Sequence, residues 1–558
     1  MKKIVIIFAS LSVWGAAPMA SAGELKGSFL TSPMRSEACD SFIGFATQGQ
    51  IDPRYVNGDR ESLEPFHTDS LVVIKNGQVV LEWYDGVKGP GSSHVLWSAS
   101  KMITATLIGR TIQDGFSYQG HPVTLETKLS LFYPNPGFLE KYPERRAQYE
   151  RITLGHLVEM SAGFDWREFY DDDMSNSSFL PMLYMKGQRD MPGFALSQKL
   201  SVQGPGEQWN YSGGNANILM GILGKIHGAS GGIEGRSEFP KKLLFDELGL
   251  EGARVEQDGS GNFVGSSYVY MTTRDMAKVG QLYLQGGVWN GKRLLPEGWT
   301  DEAQELVPTV FKKATTVDYI TKLGAPSRRI FWLNRDIHRE DGKLRDEQGQ
   351  KVLYPREMPE APSDLYFAAG HYGQLIAIVP SQNLIIARTG YDTKYWDHIQ
   401  PLTVKALSCL VDGYKPNPVK TLVPPSAGPK KSTLRSMFDF VRSIPDLLTT
   451  LNYSKVTGLA ASSIAKEMCS FSYVSGADAV IPERKRKEAY FERSGMPSFA
   501  LSMMTGDLEF DVDDAEKRIT VRQYNKVSVA RGSMTVKKLV REVRAELSSD
   551  PRAGCRLL

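Results

Sequence analysis

Up to residue 412 the longest strand patterns lie in two parts of this chain, and mostly helical patterns fill the interval between them. Ser70–Tyr84 holds two β-branched runs on either side of Asn76-Gly77, the strongest short hairpin signal. Tyr366–Val379 is largely apolar, turns around Ser381-Gln382-Asn383 and returns through Leu384–Arg388, which predicts further antiparallel strands. Between them, Ser98–Gln113 is apolar on most of its circumference through Met102, Ile103, Ala105, Leu107, Ile108 and Ile112. A helix of that kind belongs in the middle of a domain. Shorter helices are expected at Ile152–Gly163, capped by Thr153, at Ala216–Ile226, and from Thr272 to Gly286-Gly287, with Ile399–Leu410 closing the region. Ile330–Leu333 reads as a strand, and the charged stretch Arg335–Glu360 as a surface excursion.

The flanks differ in kind. Lys2 and Lys3, the apolar run from Ile4 to Leu11 and the small residues Ala20-Ser21-Ala22 form a secretory signal peptide, with cleavage near Ala22. The mature chain is therefore expected to be periplasmic or secreted, with no stable membrane anchor. Residues 23–69 are polar and poor in periodicity, which suggests an extended segment over the surface. Asp412–Ser432 carries Pro416, Pro418, Pro424, Pro425 and Pro429 and reads as a linker. Beyond it, Leu434, Phe438 and Val441 suggest a helix ending at Pro445, Leu508–Val512 and Ile519–Val521 a hairpin, and Val536–Leu547 a last helix. The expected divisions are a signal peptide at 1–22, an extension at 23–69, the main domain at 70–412, a linker at 413–432 and a small accessory domain at 433–558.

Charge and cysteine content narrow the class. Against 66 basic side chains stand 63 acidic ones, a near-balance that argues against a nucleic-acid partner. The run Arg484-Lys485-Arg486-Lys487 is flanked by Glu483, Glu488 and Glu492, as on a solvated helix face. Four cysteines, Cys39, Cys409, Cys469 and Cys555, allow three full pairings. Cys469–Cys555 is preferred because both lie in the C-terminal region. The eight histidines are scattered, with no His-Glu-x-x-His, so neither a catalytic metal nor a cofactor is expected. The oligomeric state stays open.

The candidate chemistry begins at Ser98-Ala99-Ser100-Lys101. Residues three apart share a helix face, so the hydroxyl and the amine stand one turn apart. Ser98 lies where the helix should begin, at the positive end of its dipole. A lysine on a buried helix is costly when charged, which favours a free amine able to accept a proton. A second stretch, Gly204-Pro205-Gly206 to Asn215, presents Tyr211 on a loop entering a helix. A third, Gly370-His371-Tyr372-Gly373-Gln374, sets glycines beside a strand edge, where another group can approach the backbone. His156, on its short helix, reads as structural.

In that order, Ser98-x-x-Lys101, Tyr211 and His371-x-Gly373 resemble the serine β-lactamase and penicillin-binding superfamily, in its class C and esterase-like branch. Ile152–Gly163 is similar to the family's Thr-x-x-x-Leu-x-x-Met-x-Ser-Gly segment, and Thr273-Arg274-Asp275-Met276-Ala277 to its Ala-Arg-Asp-x-Ala segment. Gly370–Gln374 has the form seen in 6-aminohexanoate-dimer hydrolases and related esterases. The resemblance covers about residues 70–412. It implies an α/β (α+β) fold: an antiparallel sheet flanked by helices, with an inserted, mostly helical lobe. It further implies Ser98 as acylated nucleophile, Lys101 as its proton acceptor and Tyr211 as proton shuttle. The backbone N–H groups of Ser98 and Gln374 would form the oxyanion hole, with His371 and Gly373 orienting the substrate.

Two departures narrow the substrate. Tyr211-Ser212-Gly213 stands where β-lactamases have Tyr-x-Asn, and His371-Tyr372-Gly373 where they have Lys-Thr-Gly. Groups that grip a β-lactam amide and carboxylate are missing, and such losses weigh heavily in discrimination. The expected activity is cleavage of small carboxylic esters or linear amides through an acyl-enzyme. The alternatives are a D,D-peptidase or β-lactamase acting on peptidoglycan-type substrates, and a catalytically silent binding scaffold of the same fold.

Overall fold

A computed structural model describes residues 36–49, 67–85, 88–168, 177–312, 317–340, 350–392 and 396–417, with shorter pieces at 342, 344–345, 466, 469, 507–514, 517–528, 535–547 and 555–557. The signal peptide, the Arg484–Lys487 run, the helix expected near 434–441 and most of the linker lie outside them. The chain divides into two compact units. The first comprises residues up to 166, 190–338 and 354–419; the second gathers 167–189, 339–353 and 420–558.

The first unit is built on one antiparallel sheet. Its strands are β1 (Thr68–Lys75), β2 (Gln78–Tyr84), β3 (Ala325–Pro326), β4 (Trp332–Leu333), β5 (Tyr366–Gly370), β6 (Gln374–Val379) and β7 (Leu384–Gly390). They lie in the order β3-β4-β5-β6-β7-β1-β2, so the N-terminal hairpin joins the C-terminal strands across the β1–β7 pair. Asn76 and Gly77 both take positive φ, +53° and +76°, as the predicted two-residue turn requires. Leu71 to Ile74 and all of β7 are buried, as expected for central strands.

Helix α1 (Glu37–Gln48) falls inside the segment expected to run extended over the surface, and so corrects that expectation. Ser36 caps it, Cys39, Phe42, Phe45 and Ala46 are buried, and the Cys39–Cys409 disulfide fastens it to α5 (Trp396–Leu410). Helix α2 (Ser100–Gln113) is buried from Ser100 through Thr111 and packs against α3 (Gly213–Pro240), so it is the centre of the helical part. Ser98 itself stands in a single 3-10 turn, Trp97–Ala99, that leads into α2. Helix α4 (Thr273–Leu284) has the predicted capping box between Thr272 and Asp275 and lies on β1, β6 and β7. His156 closes a capping box with Thr153 on the short helix Leu154–Val158, the structural role expected of it.

In the second unit, β8 (Asp507–Asp513), β9 (Arg518–Ser528), β10 (Thr535–Leu547) and β11 (Cys555–Leu557) form an antiparallel sheet, and the preferred Cys469–Cys555 bond is present. The 508–521 hairpin is there, but the helix expected at 536–547 is strand β10. Its helix-like spacing is overridden by pairing along β9, which sets Val521 against Val543 and Ile519 against Ala545. Ile519, Val521 and Ala545 are buried, so the register is held by apolar burial.

Candidate active site

The turn that carries Ser98 is held from both sides. Before it, His94-Val95 pairs with Tyr270-Met271, and the Leu96 N–H donates to the Val269 carbonyl at 2.8 Å. Beyond it, α2 begins. Strands β5 and β6 pack on the 97–99 turn. Contact is so close that a Cβ on Gly370 would lie 1.9 Å from the Leu96 carbonyl oxygen. Trp97 takes a left-handed φ of +47° immediately before the serine, a conformation that costs on the order of 1–3 kcal/mol and is held by its surroundings.

Lys101 stands on the first turn of α2 and has no solvent exposure. Its Nζ donates to Ser98 Oγ at 3.1 Å and to the Ser266 carbonyl at 3.1 Å. Ser266 is held in turn by a bond from its N–H to Asn217 Oδ1, 3.0 Å, on α3. The Lys101 Nζ also lies 4.7 Å from the ring centroid of Tyr211. Tyr211 is buried and directly precedes Ser212, whose side chain caps α3 by accepting from the Asn215 N–H at 3.1 Å. The cap fixes where the chain enters the helix and so where the tyrosine stands. Tyr211, far from Ser98 and Lys101 in sequence, thus joins them around one amine.

The 371–373 turn joins β5 to β6. Tyr372 and Gly373 have φ of +63° and +87°, so the two left-handed residues reverse the chain within three positions. The His371 ring packs edge-on to Trp97 at 5.9 Å and against Tyr372 at 3.9 Å. Burial pushes the imidazole down to about 4, so it is neutral near pH 7. Gln374 opens β6 and is fully buried, its Nε2 donating to the His371 carbonyl at 3.1 Å and the Gly390 carbonyl at 2.7 Å. Its side chain is therefore a brace between the 371–373 turn and β7.

Ser98 and Tyr211 open onto a cleft. Its other walls are Met160, Trp209, Pro326, Ser327, Ile330, Phe331, Trp332, Ala368 and Ala369, none of them charged. His371, Gly373 and Gln374 are not part of that lining. Tyr319 extends the aromatic side, 4.6 Å from Tyr211 and stacked on Trp332 at 6.1 Å. Met160 and the β-branched Ile330 both have positive φ, +55° and +62°. The sequence reading missed these walls, as well as Ser266 and Asn217, because they sit on short irregular segments with no periodic or motif signal. Among the described residues there is no cluster of three or more His, Cys, Asp or Glu side chains that could hold a metal ion, and no helix long and apolar enough to cross a membrane.

A buried amine against a serine hydroxyl, beside a sheet edge that closes on the serine turn, is the arrangement of a β-lactamase-fold serine hydrolase. A family model described as Beta-lactamase matches residues 64–390, more than half of the chain, and the chain belongs to that family. Among curated proteins it is 26% identical over 247 residues to the 6-aminohexanoate-dimer hydrolase of Paenarthrobacter ureafaciens, covering 43% of this chain and 58% of that protein. It is 25% identical over 199 residues to the uncharacterized protein BpOF4_21049 of Alkalihalophilus pseudofirmus, covering 33% and 52%. The chain thus spans little more than half the length of these relatives. Similar solved structures include a family VIII carboxylesterase, with 13% identity, a TM-score of 0.44 and coverage of 68% of this chain and 98% of that one. A β-lactamase from Mycobacterium bovis is similar at 12% identity and a TM-score of 0.37, covering 61% and 94%.

Proposed function

We propose that the protein is an exported hydrolase that cleaves small, uncharged carboxylic esters or linear amides through an acyl-enzyme on Ser98. The observation that carries this reading is Lys101 Nζ, 3.1 Å from the Oγ of Ser98, which itself lines an uncharged, largely aromatic and apolar cleft. With Lys101 as the free amine, the Ser98 hydroxyl turns its proton toward Nζ, reversing the direction of the 3.1 Å bond between them, and Nζ takes that proton as Oγ bonds to the substrate carbonyl carbon. The oxyanion that forms is met by the N–H groups of Ser98 and Gln374. The carbonyl re-forms, the bond to the alcohol or amine breaks, and the proton passes through Lys101 and Tyr211 to the leaving group. Water repeats the sequence on the acyl-enzyme and releases the acid.

The relative named a 6-aminohexanoate-dimer hydrolase supports hydrolysis of linear amides. Two disulfides, Cys39–Cys409 and Cys469–Cys555, are what an oxidising compartment permits and support export. Gly213 and Tyr372, in place of an asparagine and a threonine, weigh against β-lactams and peptidoglycan stems. The test is a panel of p-nitrophenyl butyrate, a matched anilide and a chromogenic cephalosporin, run on wild type and Ser98→Ala. Ester turnover that falls at least 10³-fold in Ser98→Ala is the expected result. Equal turnover by both proteins would sink the assignment, and rapid cephalosporin turnover would move it to a β-lactamase.

A further inference from the structure

Arg388 on β7 is a fully buried charged group to which the acyl-transfer steps give no role. The residue is 1% exposed. Its Nε donates to Thr68 Oγ1 at 2.9 Å and its Nη2 to the His67 carbonyl at 2.6 Å, while Asp392 Oδ2 pairs with the same Nη2. Those contacts alone describe a staple between β7 and the start of β1. The remaining arm points elsewhere. Nη1 donates to the Gly373 carbonyl at 2.8 Å. That carbonyl belongs to the peptide whose N–H is the Gln374 N–H, the second donor assigned to the oxyanion.

We propose that Arg388 is a positioning residue that holds and polarises the Gly373–Gln374 peptide so that its N–H faces the developing oxyanion. The inference rests on the acyl-enzyme reading. A peptide plane is rigid, so fixing its oxygen fixes the direction of its N–H. Gly373, at φ +87°, leaves that plane without the restraint an ordinary side chain brings, and the guanidinium supplies the restraint from outside. A charge-assisted bond to the carbonyl also draws density away from the nitrogen, which makes the N–H a stronger donor in a buried site. Two further ties complete the frame. Gln374 and Gly390 exchange bonds, with the Gly390 N–H donating to Gln374 Oε1 at 3.3 Å, and the Asp392 N–H donates to the Tyr372 carbonyl at 3.0 Å. A Cβ on Gly390 would lie 2.4 Å from Nη2, so the glycine is what lets the guanidinium reach past β7.

The test uses Arg388→Lys, which keeps the charge but cannot span Asp392 and Gly373 together. Wild type and variant are acylated with an isotope-labelled, slowly deacylating ester, and the acyl carbonyl stretch is read by infrared difference spectroscopy. Thr272→Ala, which removes the cap of α4, serves as a comparably destabilised control. The expected result is a carbonyl band at higher frequency and a kcat lower by about 10- to 100-fold in Arg388→Lys, with KM changed less than about threefold. Should Arg388→Lys not fold, Thr68→Val loosens one arm of the guanidinium and carries the same readouts with a smaller shift. A normal acyl-enzyme whose band and kcat match those of Thr272→Ala would overturn the Arg388 role alone. No acyl-enzyme on wild-type Ser98 would overturn both readings.

Discussion

Replacing Gly370 with alanine tests whether the site depends on the sheet closing against the serine turn. Gly370 has φ −122° and ψ 157°, a conformation alanine adopts freely, so backbone strain is not the issue. The added Cβ would lie 1.9 Å from the Leu96 carbonyl oxygen and 3.0 Å from its carbon. Carbon and oxygen normally approach no closer than about 3.3 Å, so the strand and the turn must part by roughly 1.4 Å. Both contacting atoms are backbone, and neither can swing aside. The displacement falls between Ser98, two residues after Leu96, and Gln374, which pairs with Gly370. A misplacement of about 1 Å at a reacting centre costs on the order of 100-fold, whereas the overpacking itself costs about 1–3 kcal/mol of stability. The expected outcome is a Gly370→Ala protein that still folds, melts several degrees lower and hydrolyses p-nitrophenyl butyrate about 100-fold more slowly. Labelling of Ser98 by a fluorophosphonate should slow in proportion. Gly91→Ala, whose added Cβ meets nothing within 4 Å, is the control. Activity of Gly370→Ala within threefold of wild type, with the melting shift present, would refute the reasoning.

Two further outcomes concern stability. His227 is buried between Phe116 and Phe239 and is pushed down to about 4 by burial, from an ordinary 6.5. The unfolded chain therefore binds its proton first, so stability present above pH 6.5 is lost as pH falls toward 4, by up to about 3 kcal/mol for this residue. His227→Phe should flatten the pH dependence of urea unfolding in that window, and an unchanged slope would count against it. The Cys39–Cys409 bond joins residues 370 positions apart, for which chain entropy sets a stabilisation of at most about 6 kcal/mol. A Cys39→Ser/Cys409→Ser protein should lose several kcal/mol in guanidinium unfolding and expose α1 to proteolysis, and a loss below about 1 kcal/mol would contradict this.

What could be read from residues alone was mostly local chemistry. The Asn76-Gly77 hairpin and the α4 capping box depend on side chains within a few positions, and both are present. Ser98, Lys101 and Tyr211 were legible because their neighbours form ordered motifs, although nothing in the spacing indicated that the amine would also bond Ser266. What failed was decided at long range. Helix α1 is amphipathic only over a short polar stretch, and its burial depends on Cys409 and α5. Strand β10 has a helix-like apolar spacing and is strand because β9 offers a long partner. The cleft walls come from Met160, Ile330 and Trp332, residues that only the folded sheet brings together.

The charge distribution around the cleft bears most directly on substrate choice. A carboxylate brought into an uncharged cleft loses hydration and needs a cation to compensate. Arg328 and Arg329, between the wall residues Ser327 and Ile330, are paired with Glu159, Glu302 and Glu305, and three more basic groups border the serine and the 371–374 turn. His371 is held down to about 4 and is neutral in the working range. Lys101 is committed to Ser98 and Ser266, and charging it would remove the proton acceptor. Arg388 is spent on Asp392, Thr68, His67 and Gly373. None of the three belongs to the cleft lining. An acyl chain ending in a methyl group should therefore be preferred to one ending in a carboxylate by several kcal/mol, or at least about 100-fold in kcat/KM. The comparison of p-nitrophenyl butyrate with mono-p-nitrophenyl succinate measures it, because the two differ mainly in the charged end. A succinate ester cleaved as fast as the butyrate would mean that a cation reaches the cleft, and the uncharged-substrate reading would fall while the Ser98 assignment stood.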